Sequence, residues 1–167
     1  MDGSSSGTES RPGPVLREGT PEDLPTLVRL LADDPLGSGR EDPAQRDLDR
    51  YRAAMDAIGA DPNHRILVLE EAGTVVAMLQ LSFLPHLTYA GGWRAQIEGV
   101  RVDREHRSRG LGRRLLQEAI ERARARGCHL VQLTTDRRRP EALRFYESLG
   151  FRSTHHGMKL HLPEARG

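Results

Sequence analysis

The sequence predicts an α/β domain, of the α+β kind, built on a mixed sheet. Three observations carry this. Helical and strand patterns alternate along one chain of 167 residues, long enough for a single domain with its own core. A strand, a basic glycine turn, a long amphipathic helix and a second apolar strand follow one another across residues 95–135, the layout of a parallel crossover. Upstream, two apolar runs flank Glu71-Ala72-Gly73, the mark of an antiparallel hairpin.

The elements follow in order. Met1–Gly13 is rich in Gly and Ser and poor in apolar residues, so residues 1–13 are expected to be a disordered tail and 14–163 the single domain. Val15–Arg17 reads as a short first strand. Thr20-Pro21-Glu22-Asp23 reads as a helix start, with a capping Thr, Pro at the first helical position and acids facing the dipole. Leu24, Leu27, Val28 and Leu31 then keep helical spacing to about Asp33. Pro35–Asp42 is a loop, and Pro43–Ile58 a more polar helix. Arg65–Glu71 and Thr74–Phe83 are the hairpin strands. Leu84–Gly92 is a loop suited to a lid or a substrate wall.

Trp93–Val102 is the next strand. Gly110–Arg126 is the main helix, with Leu111, Leu115, Leu116, Ala119, Ile120 and Ala123 on one stripe and Gly127 closing it. His129–Thr135 is a buried strand, Pro140–Leu149 a short helix ended by Gly150, and Phe151–Ser153 and Met158–Leu162 are final strands.

Composition excludes several classes. The formal net charge is only +1, and aromatics make up 4% of the chain. A nucleic-acid binder would more often carry a broad basic face interleaved with aromatics. The charge is nevertheless uneven: nine Arg stand against four acids between Arg101 and Arg126. A local excess beside a glycine turn points to a small anionic ligand. The single cysteine, Cys128, excludes an internal disulfide and reads as an inert, buried thiol. There is no apolar run of about 18 residues and no signal-peptide pattern, so neither a membrane span nor a membrane partner is expected, and the cytoplasm is the default location. No His/Cys/acid cluster has metal-ligand spacing, so no metal is expected.

Two features carry chemistry. Between the strand and the main helix stand Arg107-Ser108-Arg109-Gly110-Leu111-Gly112, followed by Arg113. Free N–H groups at a helix start, glycines that admit close approach and cationic side chains together make an anion cradle. The strand before it also changes face: Ile97 is odd-numbered, Val100 and Val102 even. A strand alternates faces at every residue, so the switch needs one inserted residue, and Glu98-Gly99 sits at it. A bulge there frees backbone groups for an extended, amide-bearing ligand.

These residues resemble the GNAT acyltransferase superfamily, whose signature Arg/Gln-x-x-Gly-x-Gly/Ala is matched by Arg107–Gly112. A second motif, Phe145-Tyr146-Glu147-Ser148-Leu149-Gly150-Phe151, is similar to the family's C-terminal helix, and the order of elements from Val15 to Leu162 agrees. The resemblance implies a mixed sheet of about six to seven strands that splays open to a cleft, with about four helices. It implies an N-acetyltransferase that uses acetyl-CoA as co-substrate. Backbone at Val100 and Val102 would pair with the pantetheine arm. The amides from about Arg109 through Gly110, Leu111 and Gly112 to Arg113 would hold the diphosphate, with Arg107 fixing the loop near the phosphates. Relatives often carry Asn where Arg139 stands. Arg cannot copy an amide's paired donor and acceptor, so Arg139 either reaches the phosphates or is solvated.

Acyl transfer needs a neutral amine, yet an alkylamine with a pKa of about 10 is roughly one part in a thousand neutral at pH 7. A base or relaying water helps, and a bulge N–H near Val100 can serve the oxyanion. The resemblance implies Tyr146 as the acid for the leaving thiolate; its other role is a packed core ring. Glu98, aimed into the cleft by the bulge, is the candidate base, and a structural acid paired with Arg is its other role. His86, His155 and His156 are the other candidates for base or pocket, while His106 is expected to face solvent.

Trp93, His86 and His156 are the candidate acceptor contacts. The partner is then a small-molecule amine, with a protein amine also open. The acids Glu41, Asp42, Asp47 and Asp49 make a cationic acceptor plausible. A homodimer is the candidate assembly, since an exposed edge of a splayed sheet invites a partner. The alternative function is a CoA-binding sensor or interaction module without catalysis.

Overall fold

A computed structural model describes residues 13–35, 41, 44 and 48–162. The expected tail up to residue 12, the start of the second helix at 43 and 45–47, and Asp42 and Asp47 lie outside the described residues. The elements are β1 (Val15–Glu18), a 3-10 turn (Pro21–Asp23), α1 (Leu24–Ala32), α2 (Leu48–Ala60), β2 (His64–Glu71), β3 (Thr74–Pro85), α3 (Thr88–Gly91, a single turn in which Tyr89 and Ala90 are left-handed, each at φ 55°), β4 (Trp93–Val102), a second 3-10 turn (Arg104–His106), α4 (Leu111–Ala125), β5 (Cys128–Leu133) and α5 (Pro140–Glu147).

Among the described residues the strands form one mixed sheet in the order β1-β2-β3-β4-β5. The first four are antiparallel neighbours; β5 lies parallel to β4, reached through α4. The hairpin turn puts Ala72 (φ 50°) and Gly73 (φ 77°) both in the left-handed region, the type I′ geometry that matches strand twist.

The helices cover opposite faces. Leu111, Leu115, Leu116, Ala119 and Ala123 of α4 bury against Leu79, Leu81, Ala95 and Ile97. Leu24, Leu27, Val28 and Leu30 of α1, with Met55 of α2, bury against Ile66, Val68, Val75 and Met78. Burying one such Leu contributes roughly 1.5–3 kcal/mol.

The bulge is present. Met78 pairs with Arg101 and Gln80 with Glu98, so β4 holds one residue more than β3, and Gly99 takes φ 62°. Ile97, Val100 and Val102 consequently all pack on the α4 face despite their parity.

Two expectations are corrected. Phe151–Ser153 and Met158–Leu162 are not strands; residues 151–162 make no ladder, which leaves five strands among the described residues rather than six or seven. An alternating pattern becomes a strand only when a neighbouring edge accepts its hydrogen bonds. His106 is not solvent-facing: its side chain is 23% exposed and bridges Asp103 and Glu71.

Asp103 ties the loop after β4 to α1. Arg29 donates to its carboxylate at 2.9 Å, and this, helped by His106 and the Glu105 amide, lowers its pKa from 3.8 to about 2. A carboxyl depressed by folding stabilises above its unfolded pKa and loses that contribution as pH falls through its folded one. Arg29→Ala should therefore cost roughly 0.5–1 kcal/mol near pH 7. The difference from wild type should close between about pH 4 and pH 2, which urea unfolding at a series of pH values measures.

Candidate active site

The turn Arg107–Arg113 is built to leave amides free. Ser108 (φ 62°) and Gly110 (φ 77°) are both left-handed, and Gly110 is the residue before α4 with no side-chain cap. Alternating hand turns successive N–H groups toward one concavity, and a helix start adds its own unpaired donors. Arg114 is the first residue of the helix whose N–H closes back, onto Gly110, at 3.0 Å. Among the described residues, no group accepts from the amides of Ser108 to Arg113. This donor set suits a diphosphate.

The side chains around the cradle are committed elsewhere. Arg107 donates to the Val102 carbonyl at 3.2 Å and to Asp33 at 3.0 Å, pinning the turn to the end of α1. Arg109 forks onto Glu71 at 2.6 and 2.9 Å, and that pair holds the Glu71 carboxyl below its ordinary range. Arg113 donates to Ser148, the residue just after α5, at 2.8 Å. A Cβ on Gly112 would stand 3.6 Å from both Phe145 and Val102. The two sequence motifs thus meet: the turn packs on the helix that carries Tyr146.

The strands splay beside it. β4 pairs with β5 only from Trp93 to Ile97, although β4 runs on to Val102. Asp103 donates to Val76 at 2.8 Å, so by alternation the Val102 backbone groups point away from β3, toward the gap. The Val100 carbonyl accepts from Arg101 at 2.8 Å.

Tyr146 packs its ring near Phe145 (centroids 5.4 Å) and Phe151 (6.0 Å), half-buried. Its hydroxyl makes no hydrogen bond among the described residues. Burial pushes its pKa above 10, while Arg101 and Arg139 pull the other way. Glu98 is exposed at the bulge and has no ion pair among the described residues.

The sequence reading missed Asp34. It is 3% exposed and takes guanidinium bonds from Arg101, at 2.8 Å, and from Arg139. Arg139 is therefore neither solvated nor aimed at phosphates; it ties the start of α5 to the end of α1. A signal existed: Asp33-Asp34 at a helix C-terminus opposes the helix dipole, so another group must hold them.

On the α1 face, β4 presents Arg94, Gln96 and Glu98 in a row. Gln132 of β5 donates to Gln96 at 2.8 Å, and His64 of β2 bonds Ser82 of β3 at 2.8 Å, giving a polar floor. Arg94 donates to Thr88 at 3.2 Å and lies under the Tyr89 ring, while its Nε is buried without a partner. Trp93 faces the other way, into the α4 core, with Arg126 stacked 4.7 Å over it. His86 lies in the field of Arg94 and His129, and desolvation, the larger cause, lowers its pKa. His155 and His156 are exposed. Burial pushes the Cys128 thiol up. Residues 24–151 match the model of the Acetyltransferase (GNAT) family.

The chain belongs to the GNAT acetyltransferase family. It is an acyltransferase, and acetyl-CoA is the co-substrate its family uses. An aminoalkylphosphonate N-acetyltransferase of Salmonella typhimurium is 32% identical over 143 residues, covering 84% of this chain and 86% of that enzyme. A glucosamine 6-phosphate N-acetyltransferase of Trypanosoma brucei brucei is 34% identical over 98 residues, covering 59% of this chain and 65% of that enzyme's length. A solved structure described as a transcriptional regulator from Bacillus halodurans C-125 superimposes with a TM-score of 0.86 at 48% identity. It covers 89% of this chain and 99% of its own. The relation is therefore to this same domain and not to an appended one. Among the described residues no three His, Cys, Asp or Glu side chains group as a metal site, and no helix is long and apolar enough to cross a membrane.

Proposed function

We propose that this acetyltransferase moves the acetyl group of acetyl-CoA to the primary amine of a small molecule that also carries a phosphate, phosphonate or similar anion. The observation that carries the acceptor class is Arg94, whose buried Nε lacks a partner at one end of the polar row that ends in Glu98. The two residues are four apart, roughly 13 Å along the strand, a span the long Arg side chain shortens. Two relatives named for acceptors with both an amine and a phosphorus oxyanion support the reading.

The free amides of Ser108–Arg113 and the backbone at Val100 and Val102, whose carbonyls already accept from Arg101 and Arg107, would hold the co-substrate, which supplies an acetyl thioester. Glu98 accepts the proton that the acceptor's ammonium must lose, directly or through water. The neutral nitrogen forms the new C–N bond, the C–S bond breaks, and the Tyr146 hydroxyl gives its proton to the leaving sulfur. Its raised pKa keeps that proton in place at neutral pH. The acylated nitrogen sheds its remaining surplus proton to solvent, Glu98 releases the proton it took, and Tyr146 regains one, so one proton is released per turnover.

Thiol release should be measured with 2-aminoethylphosphonate and glucosamine 6-phosphate beside ethanolamine and glucosamine. The anionic amines should show KM values at least about 10-fold lower. Arg94→Gln should raise those KM values roughly 10- to 100-fold with little change in kcat, the signature of lost ground-state binding. Equal KM values across the panel would remove the anion-bearing class.

A further inference from the structure

The polar row of β4 has one covered end. The Nε of Arg94 is buried and makes no hydrogen bond among the described residues. The other guanidinium nitrogens there hold only neutral groups, Thr88 Oγ1 at 3.2 Å and Gln132 Oε1 at 3.5 Å. The guanidinium carbon lies 5.8 Å from the centre of the Tyr89 ring. A buried atom has no contact with solvent, so an oxyanion reaches Nε only after a piece of the structure moves.

The turn between β3 and β4 is loosely held. Tyr89 (φ 55°, ψ 43°), Ala90 (φ 55°, ψ 42°) and Gly91 (φ 77°) are left-handed in succession. Residues with a side chain disfavour that backbone, and adopt it singly rather than in a run. The turn's own hydrogen bonds are long: Gly91 donates to the Leu87 carbonyl at 3.2 Å, and Gly92 to those of Tyr89 at 3.2 Å and Thr88 at 3.4 Å. Side-chain contacts keep it down. The Tyr89 ring stacks on His129 of β5 with centroids 4.6 Å apart. A Cβ on Gly92 would stand 2.8 Å from His129 Nδ1, so glycine is what lets the chain settle there. Leu87 and Tyr89 are 98% and 68% exposed, so lifting the turn draws no core residue out.

We infer that Tyr89 determines acceptor specificity as a lid: the turn Thr88–Gly91 lifts to admit the acceptor's phosphate or phosphonate to Arg94, and stays down over an amine that lacks one. The inference rests on the acceptor class proposed above. An oxyanion gives the guanidinium charge-assisted bonds, about twice as strong as the neutral ones it replaces. Lifting also releases Tyr89 and Ala90 from the left-handed region. A neutral amine offers Arg94 nothing that offsets the lost ring contacts. Discrimination then comes from an opening cost that only an anionic acceptor meets.

Two substitutions move the lid in opposite senses. Ala90→Gly relieves the left-handed turn, keeps it down and lowers the open fraction on which apparent affinity depends. Trp93, the single tryptophan, directly follows the turn and reports on it by fluorescence. In Ala90→Gly the Kd of methylphosphonate should rise roughly 3- to 10-fold, while the melting temperature holds or climbs. Tyr89→Ala removes the ring and should lower that Kd about 2- to 5-fold. A plain substrate contact would weaken on truncation instead. In nitrogen–proton spectra of the wild type, the amides of residues 87–92 should show exchange on the μs–ms scale that saturating methylphosphonate removes.

Methylphosphonate bound with those amides unmoved, a Kd that Ala90→Gly fails to raise, or one that Tyr89→Ala fails to lower would each overturn the lid and leave the anion at Arg94. No binding by the wild type and by Tyr89→Ala alike would overturn the anion reading, and the lid with it.

Discussion

Tyr146→Phe should lower kcat by about 10²- to 10³-fold, within the range of a positioned proton donor, while acetyl-CoA affinity stays within about 2-fold. The substitution removes one oxygen. The ring keeps its packing against Phe145 and Phe151, so the melting temperature should hold. The hydroxyl that is lost makes no hydrogen bond among the described residues, so its removal leaves no orphaned acceptor there. What disappears is a donor whose proton burial makes harder to lose.

The pH dependence follows from the same direction. A raised pKa means the wild type keeps the donating form through neutrality and loses it only at a pH above 10. The variant should lack that alkaline limb. Steady-state rates from pH 7 upward, with calorimetric titration of acetyl-CoA, separate the cases. Unchanged kcat would return Tyr146 to a packing role.

The second large effect is on stability. Asp34→Ala should cost about 3 kcal/mol, because removing the acid of a buried pair strands the charges it held. For a chain of this length that is a fall in Tm of roughly 6–12 °C. Asp34 joins three elements: its own loop after α1, Arg101 just past the bulge and Arg139 at the start of α5. Arg139→Ala should cost less, since Asp34 keeps Arg101. A thermal melt of both variants tests the ordering, and an Asp34→Ala chain within about 0.5 kcal/mol of wild type would remove the anchor.

What the sequence disclosed was local. The parity change from Ile97 to Val100 sits within four residues, and the structure shows the extra residue at Gly99. The glycine turn and the amphipathic stripe of α4 are likewise read from neighbours. What it hid was distant. Asp34 meets partners 67 and 105 residues away, and Arg109 is claimed by Glu71, 38 residues away. A charge count sees nine Arg near a glycine turn and cannot see which are already paired.

Met158–Leu162 fails in the opposite sense. Its alternation is real, but a strand exists only with an edge to join, and the single chain supplies none that it uses. The polar row was also obscured. Arg94, Gln96 and Glu98 are separated by Ala95 and Ile97, and only once β4 is placed between two helix layers does the even parity become the open face.

The central claim is that the amides of Ser108–Arg113 grip the diphosphate of the co-substrate. Nitrogen–proton correlation spectra recorded during titration with CoA test it directly, with pantetheine, which lacks the diphosphate, as the control. CoA should shift the Ser108, Arg109, Gly110, Leu111, Gly112 and Arg113 resonances strongly, and pantetheine should leave them in place while moving Val100 and Val102. Saturable CoA binding that leaves those six amides unmoved would contradict the claim.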